Sequence, residues 1–261
     1  MIPRHLDLGA FFCVAFVLCG CGAKQQGQNQ TCSFGIEPSV LLEAGAARLV
    51  RWEVPERAVL VSEKLPNDID YSSFRKAARV AGAAVKRPTV FPLELGEEAE
   101  KNWPRELRNQ EIAYEGKAGN VRPIQCLEAL LFSYQNRRFS QIEKPTEFIA
   151  SVLRKEINGE VFLRIYMGGS DSLFPPKDFY TLDQVDKDLE SGWDFQVMLH
   201  NHTVQKKGKE IALGVPAPST TDVQFLQMLL AERGLKNGRV TNGFYTVDIP
   251  SPAFAEYLGP R

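Results

Sequence analysis

The sequence has little of the chemistry that most often gives a function away. Of 261 residues only three are histidine and five cysteine, and no two cysteines have Cys-x-x-Cys spacing. That excludes zinc knuckles and dithiol redox motifs. Charge of either sign is not in excess: 31 basic side chains stand against 32 acidic ones, for a net charge of −1. No block of like charge is long enough to act as a tail. Nothing therefore favours nucleic acid as a partner through a general basic field. A glycine-rich phosphate loop, a Gly-x-Ser-x-Gly elbow and internal repeats are all missing. What remains is ordinary for a globular protein, with 44% apolar and 24% charged residues and enough length to bury a substantial core.

The first twenty residues read as a signal rather than as fold. Arg4 lies in a short polar start, made unusual by His5 and Asp7, and residues 10–18 form an apolar run. That run is too short to cross a bilayer and suits a signal-peptide core. Leu18-Cys19-Gly20-Cys21 resembles a bacterial lipobox, with cleavage before Cys21 and lipidation of that cysteine. The alternative is a plain secretory signal with a chance cysteine. The resemblance implies a lipid-anchored protein of the bacterial cell envelope, at the outer membrane facing the periplasm because Gly22 follows the cysteine. Residues 21–31, rich in Gly, Gln and Asn, read as a flexible tether. In the mature chain only Cys32 and Cys126 remain, and an oxidising compartment would let them pair if geometry allows.

Residues 32–119 form an N-terminal region of unclear fold and role. Short strands are expected at 48–52 and 57–62, and a helix at 72–84. From Pro123 the pattern sharpens toward an α/β (α+β) arrangement, a mixed sheet flanked by helices, over residues 120–261. Pro123 suits a first helical turn, and Cys126, Leu127, Leu130, Leu131 and Tyr134 recur at helical spacing. Pro145 is expected to stop that helix. Strands at 147–153 and 160–167 flank an Asn158-Gly159 turn. A helix at 182–190, closed by Gly192, leads into a strand at 193–199. A polar loop at 203–218, a helix at 220–233 stopped by Gly234, and strands at 239–241 and 244–249 complete the chain.

The histidines are informative because they are so few. His5 belongs to the signal, and both others sit in His200-Asn201-His202. Residues two apart on a strand face the same side, so two imidazoles would converge. Ser219 and Asp222, three apart at a helix start, would share one side. Two imidazoles and a carboxylate make a three-ligand zinc set with an open position. The bland readings are a capping box at Ser219–Asp222 and two satisfied or surface histidines.

The order His-x-His, loop, Ser-x-x-Asp, helix resembles the JAB/MPN (JAMM) metallopeptidase motif. Here it reads His200-Asn201-His202, then Ser219-Thr220-Thr221-Asp222, within roughly residues 123–250. The resemblance implies Zn2+ held by His200, His202 and Asp222, an oxyanion donor in Ser219, and a glutamate as general base. Glu147 is the candidate base and Glu128 its rival. The family has proline where this chain has Thr203, glycine where it has Ala150, and a shorter loop than residues 203–218. That loop is either a surface insertion or a displacement of Asp222. Other His-x-His enzymes, of the histidinol-phosphatase and amidohydrolase types, need further histidines that this chain lacks. Two functions follow: a zinc-dependent hydrolase of peptide or isopeptide bonds, with a peptide, protein or cell-wall substrate, or a non-catalytic MPN-like scaffold.

Overall fold

A computed structural model of the protein describes residues 32–59, 65–80, 104–207 and 210–258. The expected signal, Cys21 and the expected tether lie outside these residues, as does the end of the helix expected at 72–84.

The strands are β1 (Ser39–Ala44), β2 (Ala47–Pro55), β3 (Asn120–Pro123), β4 (Phe148–Ile157), β5 (Glu160–Gly169), β6 (Asp194–Asn201), β7 (Gln205–Lys207), β8 (Glu210–Ala212), β9 (Asn237–Thr241) and β10 (Tyr245–Pro250). The helices are α1 (Ile69–Val80), α2 (Pro104–Tyr114), α3 (Cys126–Arg138), α4 (Leu182–Glu190), α5 (Thr220–Arg233) and α6 (Phe254–Leu258). Eight strands form one mixed sheet in the order β1-β2-β5-β4-β6-β9-β10-β3. Every pairing is antiparallel except β6 with β9. The α/β class with helices on the sheet is thus the observed one.

Side chains alternate between two cores, as a doubly covered sheet requires. Phe148, Ala150 and Val152 of β4 join α1 and α3 through Phe74, Leu131 and Phe132. Ile149 and Leu153 join α2, α4, α5 and α6 through Ile112, Val185, Leu226 and Phe254. The β4–β5 hairpin turns at Asn158 (φ 53°) and Gly159 (φ 81°), the positive-φ pair that Asn-Gly favours. Among the described residues no helix is long and apolar enough to cross a membrane.

Among the described residues, the region before residue 119 has no sheet of its own. β2 pairs with β5 along its length, and α1 packs on α3. Cys32 and Cys126 form a disulfide, 94 residues apart in sequence, that ties the start of this region to α3.

Several boundaries differ from the sequence reading. Pro123 ends β3 and does not open a helix; β3 is an edge strand paired only with β10, where a missing N–H costs little. The α3 helix stops at Arg138, ahead of Pro145, because Phe139 turns extended (φ −141°, ψ 113°). Glu56–Ala58 is one 3-10 turn where a strand was expected to begin at Arg57, and residues 60–64 lie outside the description. The segment after β6 contains a small β7–β8 hairpin in place of a plain loop. This hairpin and α5 form the crossover that the parallel β6–β9 pairing needs, and it brings the start of α5 to the end of β6.

Candidate metal centre

The end of β6 and the start of α5 carry the expected triad. His200 lies on β6, and His202 follows its last residue. The backbone N–H of His202 donates to Thr241 O (2.8 Å), continuing the pairing to β9. Asp222 sits at the third position of α5, where both halves of the capping box form. Ser219 N–H donates to Asp222 Oδ2 (2.7 Å), and Asp222 N–H donates to Ser219 Oγ (3.1 Å). The capping reading is therefore the observed one, and it leaves Asp222 able to serve as a ligand as well. The Ser219 oxygen accepts in the cap, which leaves its own hydroxyl proton to donate elsewhere.

Three potential ligand atoms converge. His200 Nε2 and His202 Nε2 are 3.3 Å apart, and each lies 3.4 Å from Asp222 Oδ2. His202 Nδ1 is 2.7 Å from Val215 O. A carbonyl only accepts, so Nδ1 carries the proton and Nε2 presents its lone pair inward, the usual arrangement of a ligating histidine. Acceptor atoms this close repel one another unless a cation lies among them. Among the described residues, His200, His202 and Asp222 are the group of His, Cys, Asp and Glu side chains close enough to hold a metal ion. Burial pushes the Asp222 carboxyl up, but in the metal-free protein the charge and hydrogen bonds of protonated His200 and His202 outweigh it and hold the group well below the usual carboxylate range; a bound cation would take the place of those inward protons. The positive end of α5 favours the same ionised form.

The long segment does not misplace Asp222, because it is anchored where it returns. Val215 O receives His202, and Gly214 O accepts from Asn242 Nδ2 (2.9 Å). Gly214 passes so close that a Cβ there would lie 2.5 Å from Thr203 O and 2.8 Å from His202 Cβ.

Glu147 lies one residue before β4, and its N–H donates to Leu173 O (2.8 Å) rather than to the sheet. Its side chain lines a cavity of about 300 Å³ together with His200 and Asp222. Burial pushes its carboxyl up to about 7, Asp222 adds to the rise, and His202 and a backbone hydrogen bond from Thr203 oppose it. A carboxyl poised near neutrality in a cleft suits proton transfer. Glu128 is elsewhere. It is fully buried at the start of α3, 2.6 Å from Arg122 and 3.1 Å from Arg239. Burial pushes Glu128 up, yet Arg239 and Arg122 outweigh it and the carboxyl is held low. It also accepts from Gln125 N–H (3.1 Å), as a helix cap.

Asn201 was not singled out from sequence. Its side chain turns to the opposite face of β6 and is wholly buried. Oδ1 accepts from Phe148 N–H (2.7 Å), and Nδ2 donates to Thr146 O (3.0 Å). The residue between the two histidines thus grips both neighbours of Glu147. The one sequence signal for it was its place inside His-x-His.

No family model matches the chain. No curated protein and no solved structure matches it either.

Proposed function

We propose that the chain is a zinc-dependent hydrolase of amide bonds, with a site similar to that of JAB/MPN metallopeptidases. The observation that carries this reading is the convergence of His200 Nε2, His202 Nε2 and Asp222 Oδ2 at 3.3–3.4 Å from one another. An ion bound tetrahedrally at ~2.05 Å asks for ligand atoms ~3.3 Å apart, which suits zinc with nitrogen and oxygen ligands. Bound zinc supplies a Lewis acid that polarises a scissile carbonyl and acidifies water.

The protein's own groups divide the remaining work. Glu147, with its raised carboxyl in the same cavity, takes the proton of the attacking water and returns it to the leaving amine. The Ser219 hydroxyl would donate a hydrogen bond to the oxyanion that develops at the carbonyl. Asn201 holds the Glu147 segment in register with the histidines. The lipobox-like Cys21 supports action in the bacterial envelope, anchored at the outer membrane and facing the periplasm, on a peptide, isopeptide or cell-wall cross-link.

The test begins with the zinc content of the purified full chain. About one tightly bound equivalent is expected, and less than about half an equivalent favours a non-catalytic scaffold. Glu147→Gln should keep the zinc and slow hydrolysis of a peptide and isopeptide panel about 10²–10⁴-fold. Unchanged hydrolysis in that variant removes Glu147 from the mechanism.

A further inference from the structure

The cavity that holds Glu147, His200 and Asp222 has a second half with different chemistry. Phe174, Pro175, Tyr180, Met198, Phe225 and Leu226 line it. Tyr180 and Phe225 meet edge to face, with ring centroids 6.4 Å apart and planes at 65°. Phe174 stands at the mouth with 59% of its surface exposed, beside Leu173 at 51%. Such exposure of two large apolar neighbours next to a polar site marks a contact surface.

Among the described residues no lysine or arginine lines the cavity, and the carboxyl groups that line it are Glu147 and Asp222. An anionic substituent would meet those two acids with no cation to pair it. A substrate whose carbonyl reaches His200 and Asp222 through this cavity lays its neighbouring atoms along the aromatic wall, because the wall lines the same cavity as those two residues and Glu147. The wall is also coupled to the proposed base: the loop bearing Phe174 accepts the Glu147 N–H at Leu173 O.

We propose that this wall is a subsite for an aromatic side chain adjoining the amide bond to be cut. The substrate class is thereby narrowed to peptides with a large apolar residue next to the scissile bond, and away from stems built of small and acidic residues. The inference rests on the metal-hydrolase reading for the position of the bond, but not for the recognition of the ring.

Two measurements separate the two. On the zinc-loaded full chain, calorimetry compares phenylalanine hydroxamate, glycine hydroxamate and lysine hydroxamate, which share one chelating group. Phenylalanine hydroxamate should bind at least about tenfold tighter than the other two. Phe174→Ala and Phe225→Ala should each erase most of that difference and leave glycine hydroxamate unchanged; Phe174 is exposed, so its variant should fold. Equal affinities, tighter binding of the lysine compound, or a difference that survives both variants overturns the proposal. On the metal-free full chain, saturation-transfer NMR with N-acetyl-phenylalaninamide reads the wall alone. Saturation of the ring protons, lost in Phe174→Ala, supports the subsite even if zinc does not bind. Its absence overturns the subsite even if zinc does.

Discussion

Asn201 ends β6 and Glu147 immediately precedes β4, yet one fixes the other. Replacing Asn201 with alanine leaves Thr146 O and Phe148 N–H without their partner in a buried setting. Two such groups cost about 2–4 kcal/mol together. Asn201→Ala should therefore lower the urea midpoint, and hydrolysis should fall further than zinc content does. A variant that loses zinc and activity in parallel would reduce Asn201 to a fold residue. Glu147 has its own signature in the metal-free protein. Burial pushes its folded carboxyl up to about 7 from the ordinary value of 4.5, so the folded state holds the proton more tightly than the unfolded chain. That contribution is fully present below about pH 4.5 and is lost as pH rises through about 7, on the order of 2 kcal/mol after solvent screening. Denaturation at pH 5 and pH 8 should show the loss in the wild type and a flatter profile in Glu147→Gln. Equal slopes would mean the carboxyl is not desolvated.

At the scale of elements, the site is a strand end meeting a helix start across a folded crossover. Gly214 decides how tightly that crossover closes on His202. Gly214→Ala would drive a Cβ into Thr203 O and His202 Cβ, so the segment carrying Val215 O must move. The hydrogen bond that sets the His202 tautomer would be lost, and zinc affinity should fall about 10–100-fold with helix content unchanged. Competition against a chelator of known affinity measures this, and an unchanged affinity would show that the carbonyl of Val215 does not orient the ring. The elements themselves were largely legible. The boundaries of α4 and α5, the Asn158-Gly159 hairpin and the strand leading into His200 follow from periodicity and from Gly or Ser at the ends. Pro123 and Pro145 misled because proline marks a boundary without saying which kind: an edge strand tolerates it as well as a first helical turn does. The histidine pair was legible because its spacing is local, and Asp222 because Ser219–Asp222 opens a helix in an order that resembles a known motif. Asn201, Val215 and the aromatic wall were not, because their roles depend on partners from other elements.

At the scale of the molecule, eight of the ten described strands share one sheet, and its β1–β2 edge comes from the region that no motif explained. The Cys32–Cys126 disulfide spans 94 residues and fastens that edge's lead-in to α3. In the chain-entropy view a loop of that length is worth about 4–5 kcal/mol. Cys32→Ser with Cys126→Ser should lower unfolding stability by about 3–4 kcal/mol and leave zinc stoichiometry intact, since neither cysteine is among the metal-facing residues. Equal stability of the oxidised and doubly substituted proteins, read by urea denaturation, would show that the bond constrains little.

The oxygen that faces the two imidazoles is also the one that receives the Ser219 amide. A carboxylate oxygen has two lone pairs, so a cation and an N–H can share it, and each then holds the carboxylate still for the other. The backbone at the mouth of α5 is thus tethered to whatever occupies the triad. Slower exchange of the Ser219 amide hydrogen with deuterated water would register an ion's arrival from the protein side, without any view of the ion itself.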